Sequence, residues 1–136
     1  MHLKELNLVN YRNYIKLELN FNSNLIVFSG RNAQGKTNIL ESIFLSCTGR
    51  SHRTPRDREL ILRGESESII RAMVKKNEGS SLIEIALSLK ENKKIKINSM
   101  PIQKLGELMG HINSVLFSPE DLKLVKGSPA ERRRFM

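Results

Sequence analysis

Along the first thirty residues, apolar side chains recur with the spacing of strands. Apolar and polar residues alternate between positions 3 and 10, and again between positions 15 and 19, so both segments are predicted strands. Residues 25–28 form a continuous apolar run that ends just before Gly30. Such a run predicts a third strand, buried on both of its faces.

From Thr37 onward the spacing is that of a helix, because apolar side chains then recur every three or four residues. The predicted apolar face consists of Ile39, Leu40, Ile43, Phe44 and Cys47, and the predicted polar face of Asn38, Glu41 and Ser42. Glycine commonly follows the last residue of a helix, so we expect this helix to end near Gly49.

The second half of the chain predicts an antiparallel meander flanked by short helices. The basic, polar residues 50–58 predict a loop that leads to a short helix around residues 59–62. The meander strands are expected at residues 68–75, 82–89 and 94–98, since polar turn residues separate them. The last predicted elements are a short helix after Pro101, a buried strand at 112–117, and a helix from Ser118-Pro119-Glu120-Asp121 to Gly127.

Length and composition indicate a globular domain. The chain has 136 residues, which suits one domain or a piece of one. Its 39% hydrophobic and 27% charged residues are average for globular proteins and disfavour disorder. Cys47 has no second cysteine to pair with, and neither a membrane span nor a secretory signal is visible in the sequence. We therefore expect a reduced, cytoplasmic protein with no membrane partner.

The charge of the chain points to a polyanionic partner. Lysine and arginine outnumber aspartate and glutamate by 23 to 14, a net charge of +9 at pH 7. Basic residues cluster at positions 75–76, 93–96 and 132–134, and the chain has no tryptophan for stacking on single strands. Contacts with the backbone of duplex DNA are therefore favoured, although a solvated basic surface would give the same charge.

A phosphate-binding loop lies between the predicted buried strand and the first helix. It fits the pattern G-x-x-x-x-G-K-[ST] at every specified position, in the strand-before and helix-after context that the motif requires. Its residues are Gly30, Arg31, Asn32, Ala33, Gln34, Gly35, Lys36 and Thr37. Lys36 is predicted to contact the β- and γ-phosphates and Thr37 to ligate Mg²⁺, whereas an ordinary glycine turn would match only by chance.

Four further segments carry a resemblance to a known family. They are residues 6–14 (LNLVNYRNY), 49–54 (GRSHRT), 117–129 (FSPEDLKLVKGSP) and 132–135 (RRRF). Together with Asn32 in the phosphate loop, these segments resemble the bacterial RecF family of recombination proteins, in the same order and across nearly the whole chain.

The resemblance implies an α/β fold, that of a P-loop ATPase head of the ABC type, akin to the heads of SMC proteins. Residues 1–136 would form its N-terminal ATP-binding lobe, with ATP and Mg²⁺ as cofactors and ATP-dependent dimerisation of the complete protein. RecO and RecR are the implied partners at gapped duplex DNA, where the family favours RecA loading. No signature motif or acidic-ended apolar strand precedes Met136, so we expect a truncated head that binds ATP and hydrolyses little.

The resemblance also suggests roles for individual residues. Arg53 aligns with the arginine that SMC-like heads place near the γ-phosphate and is the candidate catalytic residue; a solvated or DNA-contacting charge is the alternative. Arg12 is expected to lie against ATP, or to be an exposed turn arginine. Glu120 and Asp121 have either a metal-related role or a simple helix-start role. Ala33 replaces a glycine of many SMC-like loops and is expected to require a negative φ.

The predicted function is ATP-dependent DNA binding in recombinational repair. Two alternatives stay open at this point: another SMC-like ATPase head, and a non-catalytic module that binds nucleotide or DNA.

Overall fold

The computed structural model describes residues 1–77, 79–108 and 110–118. Its centre is a six-stranded sheet with the order β2-β1-β3-β4-β5-β6, in which every neighbouring pair is antiparallel. The strands are β1 (His2–Tyr11), β2 (Tyr14–Asn20), β3 (Glu67–Lys75), β4 (Ser80–Ser88), β5 (Lys94–Ile97) and β6 (Met100–Pro101). One helix, α1 (Lys36–Thr48), and two 3₁₀ turns, Asp57–Leu60 and Leu105–Leu108, complete the described elements.

The hydrophobic core lies on one face of this sheet. Leu6 and Leu8 of β1 share that face with Ile70 of β3 and Ile85 of β4, and all four are fully buried. Because side chains alternate across a strand, the intervening residues face outward. The α1 helix contacts β3 and β4, so that the core is enclosed between the helix and the sheet.

The two predicted N-terminal strands and the predicted meander are confirmed. The strands β3, β4 and β5 pair in sequence order, with Ile70 opposite Ile85 and Ile85 opposite Ile95. The two short helices expected around residues 59–62 and after Pro101 are present as the 3₁₀ turns. The alternation of apolar residues was therefore a sufficient signal for this part of the fold.

The α1 helix ends where glycine predicted, but it buries a different face. Gly49 adopts a left-handed φ of 70° and donates its N–H to Leu45 O at 2.7 Å. Leu40, placed on the apolar face, is 44% exposed, whereas Glu41 and Ser42, placed on the polar face, are fully buried. The predicted face was wrong because the polar groups of these two residues find partners inside the protein: the Ser42 hydroxyl donates to Ile39 O at 2.7 Å, and Glu41 is paired with arginine.

Two predicted buried strands, at 25–28 and at 112–117, are wrong. Leu25 and Val27 are 79% and 78% exposed, Val115 is fully exposed, and neither segment is a strand. A strand buried on both faces needs neighbours that bond its backbone groups. Among the described residues neither segment has such a neighbour. One residue of each segment still packs inward: Phe28 lies edge-on against Phe21 at a centroid distance of 6.5 Å, and Ile112 is buried in the core.

The helix predicted from Ser118 to Gly127, with Glu120 and Asp121, falls almost wholly outside the described residues, and so does the basic cluster at 132–134. Within the described residues, no helix is long and apolar enough to cross a lipid bilayer.

Candidate functional site

The backbone of the phosphate loop has positive φ angles at three residues. Gly30, Ala33 and Gly35 have φ values of 144°, 63° and 100°. The expectation of a negative φ at Ala33 is wrong: the loop holds this alanine in the left-handed region, at a cost of about 1 kcal/mol for an L-residue. Strain of this kind concentrates where the surrounding structure fixes a loop for function.

Gly35 is required because the turn between β1 and β2 lies against it. A Cβ at this position would stand 2.6 Å from the Tyr14 hydroxyl and 2.7 Å from the Asn13 side chain. The Asn13 amide also donates to the backbone carbonyl of Gln34 at 3.3 Å. The first hairpin therefore holds the phosphate loop from one side.

The ammonium group of Lys36 lies within the curve of the loop. Its Nζ donates to Gly30 O at 2.7 Å and to Arg31 O at 2.6 Å. These bonds hold a positive charge at the mouth of the loop, on a flexible side chain that can exchange a carbonyl for a stronger, anionic acceptor. The geometry suits phosphate.

The start of α1 adds a second positive feature at the same place. Its N-cap is Gly35, which has no capping side chain, and its first turn contains no acidic residue. Asn38 and Ile39 donate their N–H groups to Gly35 O, while those of Lys36 and Thr37 have no acceptor in the described part of the chain. Unpaired N–H groups and an uncompensated helix dipole together attract an anion.

Arg12 lies in the hairpin turn next to this helix, and each of its three guanidinium nitrogens already donates a hydrogen bond. It has a left-handed φ of 53°, and its N–H donates to Leu60 O at 2.8 Å. Its guanidinium donates to both carboxylate oxygens of Glu41, at 2.8 and 2.6 Å, and to Glu59 O at 2.9 Å. The role predicted for Arg12 in holding ATP stays a prediction; its contacts show that it anchors the turn to α1.

Glu41 joins Arg12, Asn38, Ser51 and Arg53 in one hydrogen-bonded group, which we call the Glu41 network. Ser51 Oγ donates to Glu41 Oε1 at 2.6 Å, and Arg53 Nη1 lies 3.5 Å from Glu41 Oε2. Arg53 Nη1 also donates to Asn38 Oδ1 at 2.9 Å. Burial alone would raise the pKa of Glu41, but hydrogen bonds from Arg12 and Ser51 and the two guanidinium charges lower it below its usual value.

The Glu41 network is connected to the phosphate loop. Asn38 Nδ2 donates to Asn13 Oδ1 at 2.8 Å, and Asn13 in turn bonds the carbonyl of Gln34. Arg53 is thus bonded directly to Asn38, the residue that follows Thr37. The resemblance suggested a position for Arg53 near the γ-phosphate, which stays a prediction. Sequence reasoning missed the role of Glu41, because it placed this residue on the polar face of the helix.

Comparison with known proteins places these features in a family. Residues 5–126 match the family described as AAA domain. Two curated relatives are the DNA replication and repair proteins RecF of Alkaliphilus oremlandii, 52% identical over 136 residues, and of Clostridium tetani, 53% identical over 137 residues. Both matches cover 100% of this chain and 37% of the relative, so the chain spans little more than a third of the relatives' length.

Solved structures give the same picture. A structure of the recombination mediator protein RecF with ATPγS, described as part of the RecFOR pathway, matches with a TM-score of 0.89 and 37% identity, over 98% of this chain and 36% of that one. A structure from work on ATP-driven dimerization and DNA-stimulated activation of SMC ATPases matches with a TM-score of 0.80 and 19% identity, over 98% and 96% of the two chains. At 19% identity, the likeness to the SMC ATPase structure shows a shared fold only.

The fold and the loop therefore define the α/β fold of the N-terminal lobe of a P-loop head of the ABC type, as predicted. The chain belongs to the AAA domain family, and the predicted resemblance to RecF is confirmed by these relatives.

The predicted site residues are brought together at one end of α1. Arg31, Asn32, Ala33 and Gln34 are exposed on the loop, and Thr37 is exposed on the first turn of the helix. Gly35 is buried, and Lys36 and Arg12 are half-buried. Their contacts with nucleotide and Mg²⁺ stay predictions.

Proposed function

We propose that the chain is the nucleotide-holding lobe of a RecF-like DNA-repair ATPase and that it binds ATP in the phosphate loop. The observation that carries this proposal is that the Lys36 ammonium and the uncapped start of α1 meet at one loop, with Arg53 bonded to Asn38 in the first turn of that helix. A relative 37% identical to this chain has been solved with ATP, which supports the assignment.

The residues present fit an ATP·Mg²⁺ ligand. The unpaired N–H groups of Lys36 and Thr37 and the Lys36 ammonium would hold the phosphates, and the exposed Thr37 hydroxyl would ligate Mg²⁺. The metal ion would supply charge neutralisation on the terminal phosphates. Glu41 is already committed to two arginines, so it does not act as a base, and we expect this chain to hydrolyse ATP very slowly.

Calorimetric titration with ATP and Mg²⁺ tests the nucleotide site. Lys36→Ala should weaken binding at least about tenfold, since it removes a charge-assisted contact with phosphate. Lys90→Ala, which removes an exposed lysine from the turn after β4, is the matched control and should bind normally. Absence of binding by the unaltered chain would exclude the site, and turnover that Lys36→Ala abolishes would contradict slow hydrolysis.

We propose that duplex DNA is contacted through basic residues at the ends of the meander strands. Two lysines of the predicted clusters already have acidic partners: Lys93 is paired with Asp57 at 2.9 Å, and Lys94 is paired with Glu91. They are therefore weaker candidates for phosphate contacts. Lys75 and Lys96 are exposed and have no ion pair with another described residue. They are the better candidates for phosphate contacts.

A salt titration of duplex binding tests this second assignment. Affinity should fall steeply with salt, and Lys96→Ala should reduce the slope of log K against log salt by about 1, as expected for one lost phosphate contact. Affinity that hardly changes with salt would contradict backbone binding.

On the resemblance to RecF proteins, we further propose that the complete protein dimerises with ATP and acts at gapped DNA with RecO and RecR to promote RecA loading. Co-purification of RecR with the chain, compared with and without ATP, tests whether this lobe carries the contact.

A further inference from the structure

The Glu41 carboxylate is fully buried and forms ion pairs with two arginines, Arg12 and Arg53. The two guanidinium groups differ in how many of their N–H donors are free. Arg12 uses its Nε, Nη1 and Nη2 groups on Glu41 and on Glu59 O, and only 19% of its side chain is exposed. Arg53 donates one hydrogen bond in the described part of the chain, to Asn38, and 40% of its side chain is exposed. Arg53 therefore has more free and more exposed donors for a ligand than Arg12 has.

Glu41 holds Arg53 by its backbone as well as by its side chain. Ser51 donates to the carboxylate, and the same Ser51 oxygen accepts the N–H groups of Arg53 at 3.0 Å and of Thr54 at 3.2 Å. The carboxylate thus fixes the loop from which Arg53 projects. Arg53 also lines an open cleft of about 510 Å³, so its side chain would have room to change position without this anchor.

The Glu41 network carries a net positive charge. One carboxylate against two guanidinium groups leaves one uncompensated positive charge, and Arg53 carries it next to the first turn of α1. A terminal phosphate group is the part of a triphosphate that a diphosphate lacks. A guanidinium held at this place would favour the triphosphate.

We propose that Glu41 is a positioning residue: it holds Arg53 towards the phosphate loop and thereby sets the preference of the site for ATP over ADP. This inference rests on the proposed nucleotide site and adds to it the residue that makes the site sensitive to the third phosphate. Glu41 itself touches no ligand.

The ratio of ATP to ADP affinity, measured by calorimetry with Mg²⁺, tests the proposal. Arg53→Ala and Glu41→Gln should each lower the ratio about tenfold, the effect of one charge-assisted hydrogen bond. The Arg53→Ala, Glu41→Gln double variant should lower it no further than either change alone, because Glu41 acts through Arg53. Glu84→Gln is the matched control: it neutralises an ion-paired glutamate on the outer face of the sheet and should leave the ratio unchanged.

The direction in which Glu41→Gln changes the ATP to ADP affinity ratio distinguishes a positioning role from simple electrostatic attraction. Removal of a negative charge makes the site more positive, so simple attraction predicts that Glu41→Gln binds ATP more tightly relative to ADP. A raised ratio, an equal loss of both affinities, or effects that multiply in the double variant would overturn the proposal, and so would an unaltered chain that binds both nucleotides equally. A chain that binds neither nucleotide would instead refute the nucleotide site itself.

A second variant serves if Glu41→Gln does not fold. Ser51→Ala keeps every charge but removes the oxygen that joins Glu41 to the backbone of Arg53. It should lower the ATP to ADP ratio in the unaltered background and have no effect in the Arg53→Ala background. An unchanged ratio would overturn the proposal.

Discussion

Removal of Arg12 should destabilise the fold strongly at neutral pH and much less in acid. Among the described residues, Arg12→Ala leaves the fully buried Glu41 carboxylate with two partners, the Ser51 hydroxyl and the Arg53 guanidinium 3.5 Å away. Breaking a buried ion pair from one side costs about 3 to 5 kcal/mol, because the remaining charge stays buried. We expect about 3 kcal/mol here, since Ser51 and Arg53 compensate in part.

The pH dependence follows from the pKa of Glu41. In the unaltered protein this pKa is lowered, although burial opposes the shift, so the contribution of the pair is complete above the unfolded value of about 4.3 and is lost as pH falls through the folded pKa. In Arg12→Ala burial should dominate and raise the pKa above the unfolded value. The variant then gains stability by binding a proton as pH falls, and the difference between the two proteins shrinks.

Urea unfolding followed by far-UV circular dichroism at several pH values between 4 and 7 measures this difference; circular dichroism suits a chain without tryptophan. Lys16→Ala is the control, because it breaks the exposed pair with Glu18 and should leave the unfolding midpoint nearly unchanged. A loss of less than about 1 kcal/mol for Arg12→Ala at pH 7, or the same loss at every pH, would refute the assignment of a buried, charged Glu41.

Three further changes test the backbone and the exposed apolar run, each by urea unfolding. Ala33→Gly should be neutral or stabilise the fold by up to about 1 kcal/mol, because glycine removes the backbone strain at a φ of 63° and this gain offsets the greater freedom of the unfolded chain. A clear loss of stability would show that Ala33 does not have a positive φ. Gly49→Ala should cost about 2 kcal/mol, because its φ is 70° and the new Cβ would lie 2.5 Å from Leu105 Cδ2; Leu105→Ala should recover part of the loss in the double variant. Val27→Ser should cost less than about 0.5 kcal/mol, since Val27 is 78% exposed, whereas a core strand would lose several times more.

Local patterns predicted most of the sheet and the helix because each signal lies within a few residues. Alternation identified β3 and β4, and Gly49 marked the end of α1 through its own conformational freedom. The phosphate loop was recognisable for the same reason, since its pattern is contiguous.

The parts that could not be predicted depend on residues far apart in the chain. Glu41 is buried because Arg12, 29 residues earlier, and Ser51, 10 residues later, meet its carboxylate. The apolar run at 25–28 has the composition of a buried strand, but only strands on either side can make it one. The left-handed Ala33 depends on how the whole loop closes around Lys36, which no single residue type reveals.

Because the first hairpin lies close against Gly35, the proposed nucleotide binding should depend on whether that hairpin is folded. Asn13 and Tyr14 are not proposed to contact phosphate, yet they shape the loop that is. A chain in which the two N-terminal strands had come apart would therefore release its ligand first, and added ligand would in turn protect those strands from exchange with solvent.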